Sequence, residues 1–303
     1  MNSKLISWTL FTGLCIIWGS SFILMKWGLY DANQQPVLSP YQVAALRMFS
    51  SGLVMLPFLI RSLKGLPAST IRYVLLSGWL GSFFPAFLFC IAETKIDGAL
   101  TGSLNSLTPI FVLITGAVFF RKKTSWTRIT GVLVGLIGSG LLLYINAGKP
   151  NAYIAYTGFV VLATIFYGFN VNMVHEKLTN VGSLQIATIA FTGLIPPSLL
   201  ILIYTGYFNL PLGEHVYTMS TIASSVLGIL GTALASVLFY ILVKKAGGLF
   251  ASLVTYGIPF VAILWGVYYG EKVTWMQVIA LGIILLGVYL ANRQDTKKAT
   301  PVE

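Results

Sequence analysis

The chain has 303 residues, of which 56% are hydrophobic and only 9% are charged, and its formal net charge is +11. Soluble domains carry about 25% charged residues, so this composition excludes a soluble fold and indicates an integral membrane protein. The apolar runs have the length of about 20 residues that a membrane-spanning helix needs, and they lack the alternation typical of an outer-membrane barrel.

The first apolar run follows Lys4 and extends from Leu5 to about Tyr30. It is longer than the apolar core of a secretory signal peptide, and no A-x-A cleavage site follows it. We therefore predict a retained first helix. Cys15 and Cys90 both lie in predicted spans and provide neither a disulfide framework nor the spacing of a metal site.

Ten helical spans joined by short loops account for the rest of the chain. Numbered helices 1 to 10, they cover approximately residues 5–26, 39–60, 73–91, 98–120, 127–147, 153–174, 183–205, 220–243, 248–270 and 275–292.

The basic residues predict the orientation of these spans. With the N-terminus inside, the outer side carries Lys26, Lys95, Lys149 and Lys272, Arg47 lies within helix 2, and the other fourteen of the 19 basic residues face the cytoplasm. The positive-inside rule favours this orientation, with both termini cytoplasmic. The placement of the charges thus points to membrane orientation and not to nucleic acid, and the short loops favour a cell (inner or plasma) membrane.

The sequence around Pro109 is repeated around Pro259. The aligned pairs are Trp18 with Tyr167, Gly19 with Gly168, Gly98 with Gly248, Asn105 with Thr255, Trp126 with Trp275 and Gly138 with Gly287. Helices 1–5 therefore repeat as helices 6–10, over residues 1–150 and 151–303. The match is weaker in helices 2 and 7, where Thr188 is the approximate counterpart of Arg47.

Because five is odd, the second copy must be inverted in the membrane. The basic loop Arg121–Lys123 agrees with this inversion, because its counterpart Glu271-Lys272 has no net charge. We therefore predict an all-α integral membrane fold of ten transmembrane helices in two inverted-topology five-helix repeats. Inverted repeats are typical of secondary transporters, which bind substrate near the midplane; the alternative is that duplication only built a large membrane fold.

Three patterns resemble the drug/metabolite transporter superfamily, and its EamA-type branch in particular: W-G-x-S-F-x-x-x-K at Trp18–Lys26, A-x-x-R at Ala44–Arg47, and a proline followed by G-E-x-x-T-W at Pro259–Trp275. The resemblance covers essentially the whole chain. It implies a central cavity, cytoplasmic termini and, as in many members, export of amino acids or other small metabolites. The chain departs from the family in carrying Arg121 opposite Glu271, which argues against Glu271 as a shared coupling residue.

Helices 4 and 9 carry matching polar stripes. Helix 4 has Thr101, Asn105 and Thr108 on one face before Pro109, and the corresponding part of helix 9 is Thr255, Tyr256 and Pro259. A proline within a span frees a backbone carbonyl, so both prolines are candidate hinges. Small polar residues also pack helices closely, but the cost of burying an amide favours a cavity position for Asn105.

Helices 1 and 6 each pair an aromatic residue with a polar one. Trp18 precedes Ser21 by three positions, and Tyr167 precedes Asn170 by three. An aromatic ring and a polar group suit a small organic substrate, whereas the alternative is anchoring at the membrane interface. Asn172 follows on helix 6 and has the alternative of a polar helix cap.

Arg47 is the one basic residue predicted deep in a span. Intramembrane arginines are functional candidates, and this one could bind a carboxylate or a phosphate. The alternative, favoured because the resemblance makes Arg47 part of the pattern of the fold, is that it snorkels or binds broken-helix carbonyls. Lys26 is expected at the interface. All acidic residues fall in loops, tails or helix ends, so no buried proton relay is expected, and Glu93 and Glu271 are the only coupling candidates.

Other functions have weaker support. His175-Glu176-Lys177 is not a zinc-protease motif, and neither a G-x-S-x-G elbow nor a Walker loop occurs. An intramembrane enzyme is therefore not expected, nor a metal or cofactor. A lipid flippase and a channel remain alternatives. The glycines of helices 5 and 10 include a GxxxG pattern at Gly131–Gly135 that could form a homodimer, although internal packing is favoured.

We therefore predict a secondary transporter that exports small metabolites such as amino acids. Its partners would be the small-molecule substrate and the lipid bilayer. The substrate would cross by alternating access, through a cavity between helices 1–5 and helices 6–10.

Overall fold

The computed structural model describes residues 3–121, 125–145, 151–252 and 254–292. Lys122 and Lys123 of the basic loop, Lys149 and the polar tail from Arg293 onwards lie outside these residues, and the side chains of Lys4, Arg128 and Lys244 are not described.

Within the described ranges, ten helical units follow one another in the order predicted. Helix 1 comprises Ser3–Gly19 and Ser21–Leu29, helix 2 Pro40–Met55 with Leu56–Phe58 and Leu59–Leu63, helix 3 Ala68–Gly78 with Trp79–Phe83 and Phe84–Ala92, helix 4 Gly98–Asn105 and Thr108–Phe119, and helix 5 Trp126–Ile145. Helix 6 is Asn151–Lys177, helix 7 Ser183–Thr192 and Ile195–Tyr204, helix 8 His215–Val226 with Leu227–Leu234 and Ala235–Ser252, helix 9 Val254–Tyr268, and helix 10 Trp275–Asn292.

The predicted fold class is confirmed. Seven of these units are long and apolar enough to cross a bilayer, and three shorter apolar helices, Ile129–Gly138, Val254–Tyr268 and Trp275–Gly287, bring the number to ten. The described residues contain no β-structure beyond one isolated bridge between Tyr30 and Pro36. The protein is therefore a multi-pass, all-helical membrane protein.

One predicted loop is helical. Residues 244–247 were predicted to connect helices 8 and 9, but the last segment of helix 8 includes Gly247 and Gly248 and continues through Ser252. Each glycine in a helix interior costs only about 1 kcal/mol relative to alanine, so two glycines do not by themselves end a helix.

Reciprocal contacts between helices 2 and 7 demonstrate the inversion. The Gln42 side-chain amide donates to the backbone carbonyl of Thr205 at 3.0 Å, and the Gln185 amide donates to that of Ser62 at 3.3 Å. Each glutamine lies at the start of its helix and binds the end of the other helix. Helices 2 and 7, which are equivalent in the two repeats, therefore run antiparallel.

The contacts that helices 2 and 7 make with helices 3 and 8 show that Thr188 is not the counterpart of Arg47. A Cβ atom on Gly78 would lie 3.0 Å from the Ala190 carbonyl oxygen, and one on Gly228 would collide with the Arg47 carbonyl. Because Gly78 and Gly228 are equivalent glycines of helices 3 and 8, Arg47 corresponds to Ala190 and not to Thr188. The loop before helix 2 is longer than the loop before helix 7. This difference in length displaced the predicted alignment of the two helices by two residues.

Helices 1 and 6 pack against the opposite repeat. Helix 1 lies against helices 8 and 9, and helix 6 lies against helices 3 and 4. Glycines allow both close approaches, since a Cβ on Gly19 would lie 3.0 Å from the Ile258 carbonyl oxygen and one on Gly168 would lie 2.7 Å from the Phe111 carbonyl oxygen. The bundle thus contains two interleaved groups, helices 1, 8 and 9 and helices 3, 4 and 6.

Asn172 strengthens the second group. Its side chain is buried, and its amide donates to the Val112 carbonyl at 2.8 Å and to the Thr115 hydroxyl at 3.0 Å. These bonds join helix 6 to helix 4, so Asn172 is an interhelical contact and not a helix cap.

Helices 5 and 10 form a separate pair. Gly287 packs directly on the backbone of Gly135, and a Cβ on Gly138 would lie 2.8 Å from the backbone nitrogen of Ile284. These small residues of the GxxxG region therefore pack helices of the same chain together, which is the favoured alternative of the sequence analysis.

Candidate substrate site

A π-helical segment interrupts helix 3 at Trp79–Phe83, and another interrupts helix 8 at Leu227–Leu234. The two segments occupy equivalent positions, with Gly81 in the first corresponding to Gly231 in the second. The wider π turn displaces carbonyls from their usual partners, and such segments are frequent at functional sites. Neither segment was predicted from the sequence. The one sequence feature that could have indicated them is the similarity between Leu80-Gly81-Ser82 and Leu230-Gly231-Thr232.

Trp18 binds the π segment of helix 8. Its indole nitrogen donates to the Gly231 carbonyl at 3.0 Å, and its ring lies 5.3 Å from that of Phe239. This hydrogen bond accounts for an indole placed deep within a span, because a buried N–H needs an acceptor.

Arg47 turns inward to the same π segment. Its Nε donates to the Thr232 hydroxyl oxygen at 2.7 Å, and its side chain is half-buried. Arg47 therefore does not snorkel to the membrane surface. Among the described residues Thr232 is the one hydrogen-bond partner of the Arg47 side chain. A guanidinium has five N–H donors, so the terminal nitrogens retain donors for an anionic group.

The polar partners of the two aromatic residues lie against the two π glycines. A Cβ on Gly231 would lie 2.9 Å from the Ser21 hydroxyl oxygen, and one on Gly81 would collide with the Asn170 side chain. The side-chain oxygen Oδ1 of Asn170 is buried without a hydrogen-bond partner, and Tyr167 stacks on Phe89 with ring centres 6.1 Å apart. The structure thus brings Trp18, Ser21 and Arg47 together at one π segment. Asn170 lies against the other π segment, and Tyr167 lies on Phe89, which follows that segment in helix 3.

The stripe of helix 4 is mostly enclosed. Thr101 and Thr108 are buried, and their hydroxyls donate to the Asp97 carbonyl at 2.9 Å and the Asn105 carbonyl at 2.8 Å. Asn105 is half-buried and ends the first segment of the helix. It is therefore the member of this stripe with an accessible polar group.

The two prolines differ in their surroundings. Helix 4 breaks at Ser106 and Leu107, and Pro109 lies in the first turn of the segment that follows. Pro259 lies inside the continuous helix Val254–Tyr268, beyond the half-buried Thr255 and Tyr256. Only Pro109 therefore adjoins an interruption of the described helix.

A charged cluster joins helices 1, 3, 4 and 9. It lies at the end of the bundle where helices 1, 3 and 9 terminate and helix 4 begins, and we call this end of the bundle the far end. The Lys26 ammonium donates to the backbone carbonyls of Glu93 at 3.0 Å and Ile96 at 3.2 Å. Lys26 is therefore half-buried and bound to the 3–4 loop near the end of helix 1, and its position at the membrane interface stays a prediction. Backbone acceptors of the 3–4 loop, which the sequence pattern could not identify, bind it.

Glu271 and Glu93 complete the cluster. The Glu271 carboxylate accepts from the backbone N–H groups of Gly98 at 3.0 Å and Ala99 at 3.1 Å, where the start of helix 4 favours negative charge. Glu93 is 0% exposed, and neither of its carboxylate oxygens has a hydrogen-bond partner. Burial raises the pKa of Glu93 well above its usual range, although Lys26 and Arg47 oppose the shift. The position of Glu93 at the end of helix 3 did not allow this burial to be predicted from the sequence.

The chain is similar to known transporters along its length. The model of the EamA-like transporter family matches residues 6–144 and 155–293. An uncharacterised transporter of Archaeoglobus fulgidus is 25% identical over 95% of this chain and 99% of its own. An S-adenosylmethionine uptake transporter of Rickettsia conorii is 26% identical over 68% of this chain and 65% of its own.

Two further comparisons agree with the fold. The uncharacterised inner membrane transporter YedA of Escherichia coli K12 is 22% identical over 92% of this chain and 88% of its own. A protein known from a crystal structure superposes with a TM-score of 0.60 at 19% identity, covering 95% of this chain and 96% of its own, which shows a shared fold. Since the family model covers both halves of the chain, the protein belongs to the EamA-like transporter family, within the drug/metabolite transporter superfamily.

Proposed function

We propose that the protein is a secondary transporter of the cell membrane that exports small polar metabolites such as amino acids by alternating access. The observation that carries this proposal is the pair of aromatic–polar groups at equivalent π segments, with Arg47 beside one of them. Membership of a transporter family and relatives named as transporters support it.

The substrate would carry a carboxylate. The terminal nitrogens of Arg47 can bind a carboxylate in a bidentate manner, and the rings of Trp18 and Tyr167 can flank an apolar side chain. Asn105 and Asn170 carry amides that can orient the amino group of an amino acid. An amino acid combines these three features in one small molecule.

The moving groups would be helices 1, 8 and 9 and helices 3, 4 and 6, in place of the two sequence halves. Helix 1 packs on the second repeat and helix 6 on the first, so each group contains a helix of the opposite repeat. At the far end, Lys26 and Glu271 link the first group to helices 3 and 4. With the termini in the cytoplasm, these links close the outer side.

Mass spectrometry of the growth medium tests the proposal. Cells that overexpress the intact chain are compared with cells that express Asn105→Leu or Arg47→Met at the same membrane level. We expect a carboxylate-bearing metabolite to accumulate outside only with the intact chain. Equal accumulation with both variants would contradict the site, and no change in any metabolite would contradict export.

A further inference from the structure

The side-chain carboxyl group of Glu93 accepts no hydrogen bond, because the donors near it bind other acceptors. The Lys26 ammonium donates to the backbone oxygens of Glu93 and Ile96, and the N–H groups of Gly98 and Ala99 donate to Glu271. Both oxygens of the Glu93 side chain are buried and unpartnered. A buried ion without hydrogen bonds is much less favourable than the neutral acid, so this arrangement suits a protonated carboxyl.

The charges around Glu93 lead to the same conclusion. Lys26 and Arg47 contribute two positive charges, and Asp97 and Glu271 contribute two negative charges. Ionised Glu93 would therefore add an uncompensated negative charge to a buried cluster. The groups that interact electrostatically with Glu93 come from every neighbouring element: Lys26 of helix 1, Tyr30 after helix 1, Arg47 of helix 2, Cys90 of helix 3, Asp97 before helix 4 and Glu271 after helix 9.

The two carboxyl groups approach the same helix terminus. A Cβ on Gly98 would lie 3.6 Å from Glu271 Oε1 and 3.9 Å from Glu93 Oε1. The first N–H groups of a helix lack partners within the helix, so Glu93 in its ionised form can compete with Glu271 for them. It can also attract Lys26 away from the backbone carbonyls.

We propose that Glu93 is a proton-binding site whose occupancy keeps the far end of the transporter closed. A proton on a Glu93 oxygen leaves Lys26 and the start of helix 4 bound to their present partners. Release of that proton to solvent produces a carboxylate that breaks both links, and helices 1 and 9 then separate from helices 3 and 4. The proposal rests on the transport function proposed above, to which it adds control by protons.

Infrared spectroscopy of the purified full-length protein in lipid tests the protonation. A protonated carboxyl has a C=O stretch that a carboxylate lacks. We expect this band at neutral pH in the wild type and in Glu214→Gln, an exposed control in the 7–8 loop, and its loss in Glu93→Gln. A protonated-carboxyl band that is unchanged in Glu93→Gln would show that Glu93 is ionised in the wild type and would overturn the proposal.

Hydrogen exchange of residues 98–104 tests the effect on closure. After correction for intrinsic exchange, wild-type exchange should rise by up to about tenfold per pH unit, because each opening releases one proton. Glu93→Gln should remove this dependence and keep the segment protected, whereas Glu271→Gln should weaken protection at every pH. A Glu93→Gln protein with the wild-type pH dependence would overturn the proposal. Neither measurement uses a substrate, so failure here leaves the transport assay as a separate test.

Discussion

The Nε atom of Arg47 lies 2.7 Å from the hydroxyl oxygen of Thr232, which belongs to the π segment of helix 8. This bond orients an intramembrane guanidinium toward the interior, where the two repeats meet. A hydrogen bond to a charged group contributes about 1.5–3 kcal/mol. The position of Arg47 therefore depends on one short polar side chain of the opposite repeat.

We predict that Thr232→Val reduces export by about tenfold or more, because Arg47 loses its orienting acceptor. Efflux of the identified metabolite, normalised to membrane level, measures the effect. Thr130→Val is a matched control, since Thr130 is exposed on helix 5 and bonds only within its own helix. Equal loss in both variants would indicate a general effect of removing a threonine.

Two glycines of helix 5 should respond differently to alanine. Gly138→Ala places a methyl group 2.8 Å from the Ile284 backbone nitrogen, whereas Gly140→Ala meets no atom within 4 Å. We expect Gly138→Ala to destabilise the protein by about 1–3 kcal/mol. Gly140→Ala should be neutral or stabilise it by about 0.5–1 kcal/mol. Thermal unfolding in detergent measures both, and equal midpoints would contradict the packing of helices 5 and 10.

Stability should depend on pH through Glu93. Because the folded pKa of Glu93 is raised above its ordinary value of 4.5, the folded state holds a proton that the unfolded state releases. Stability is therefore full below pH 4.5 and falls as pH rises through the folded pKa. Unfolding midpoints of Glu93→Gln should fall less over this range. An equal or steeper fall in the variant would contradict a protonated Glu93.

Labelling of single cysteines in intact cells tests the orientation. Gly213→Cys lies in the exposed 7–8 loop, and Lys64→Cys lies in the exposed 2–3 loop. Cys15 and Cys90 are buried, so they should contribute little background. We expect a membrane-impermeant maleimide to label Gly213→Cys only. The reverse pattern would place the termini outside.

Much of the fold could be predicted from the sequence because helix length and apolar composition report directly on a membrane span. The repeat was also visible, since Pro109 and Pro259 lie in similar local sequences. The alignment of helix 2 with helix 7 could not be predicted, because the loops before the two helices differ in length. In the structure, Arg47 corresponds to Ala190.

The candidate site was less predictable because its groups act across the bundle. Spacing along helix 1 could not show that Lys26 binds the carbonyls of a loop 67 and 70 residues away. Nor could the position of Glu93 at a helix end show that neighbouring helices bury it fully. The π segments depend on packing around Gly81 and Gly231, which no local propensity predicts.

The most direct test of the transport function is efflux from liposomes that contain the purified protein and a mixture of amino acids and organic acids. Mass spectrometry identifies the compounds that leave, and Arg47→Met liposomes provide the comparison. We predict selective loss of one or a few carboxylate-bearing compounds with the wild type and retention with the variant. Equal retention in both, or equal loss of every compound, would contradict a selective transporter with Arg47 in its site.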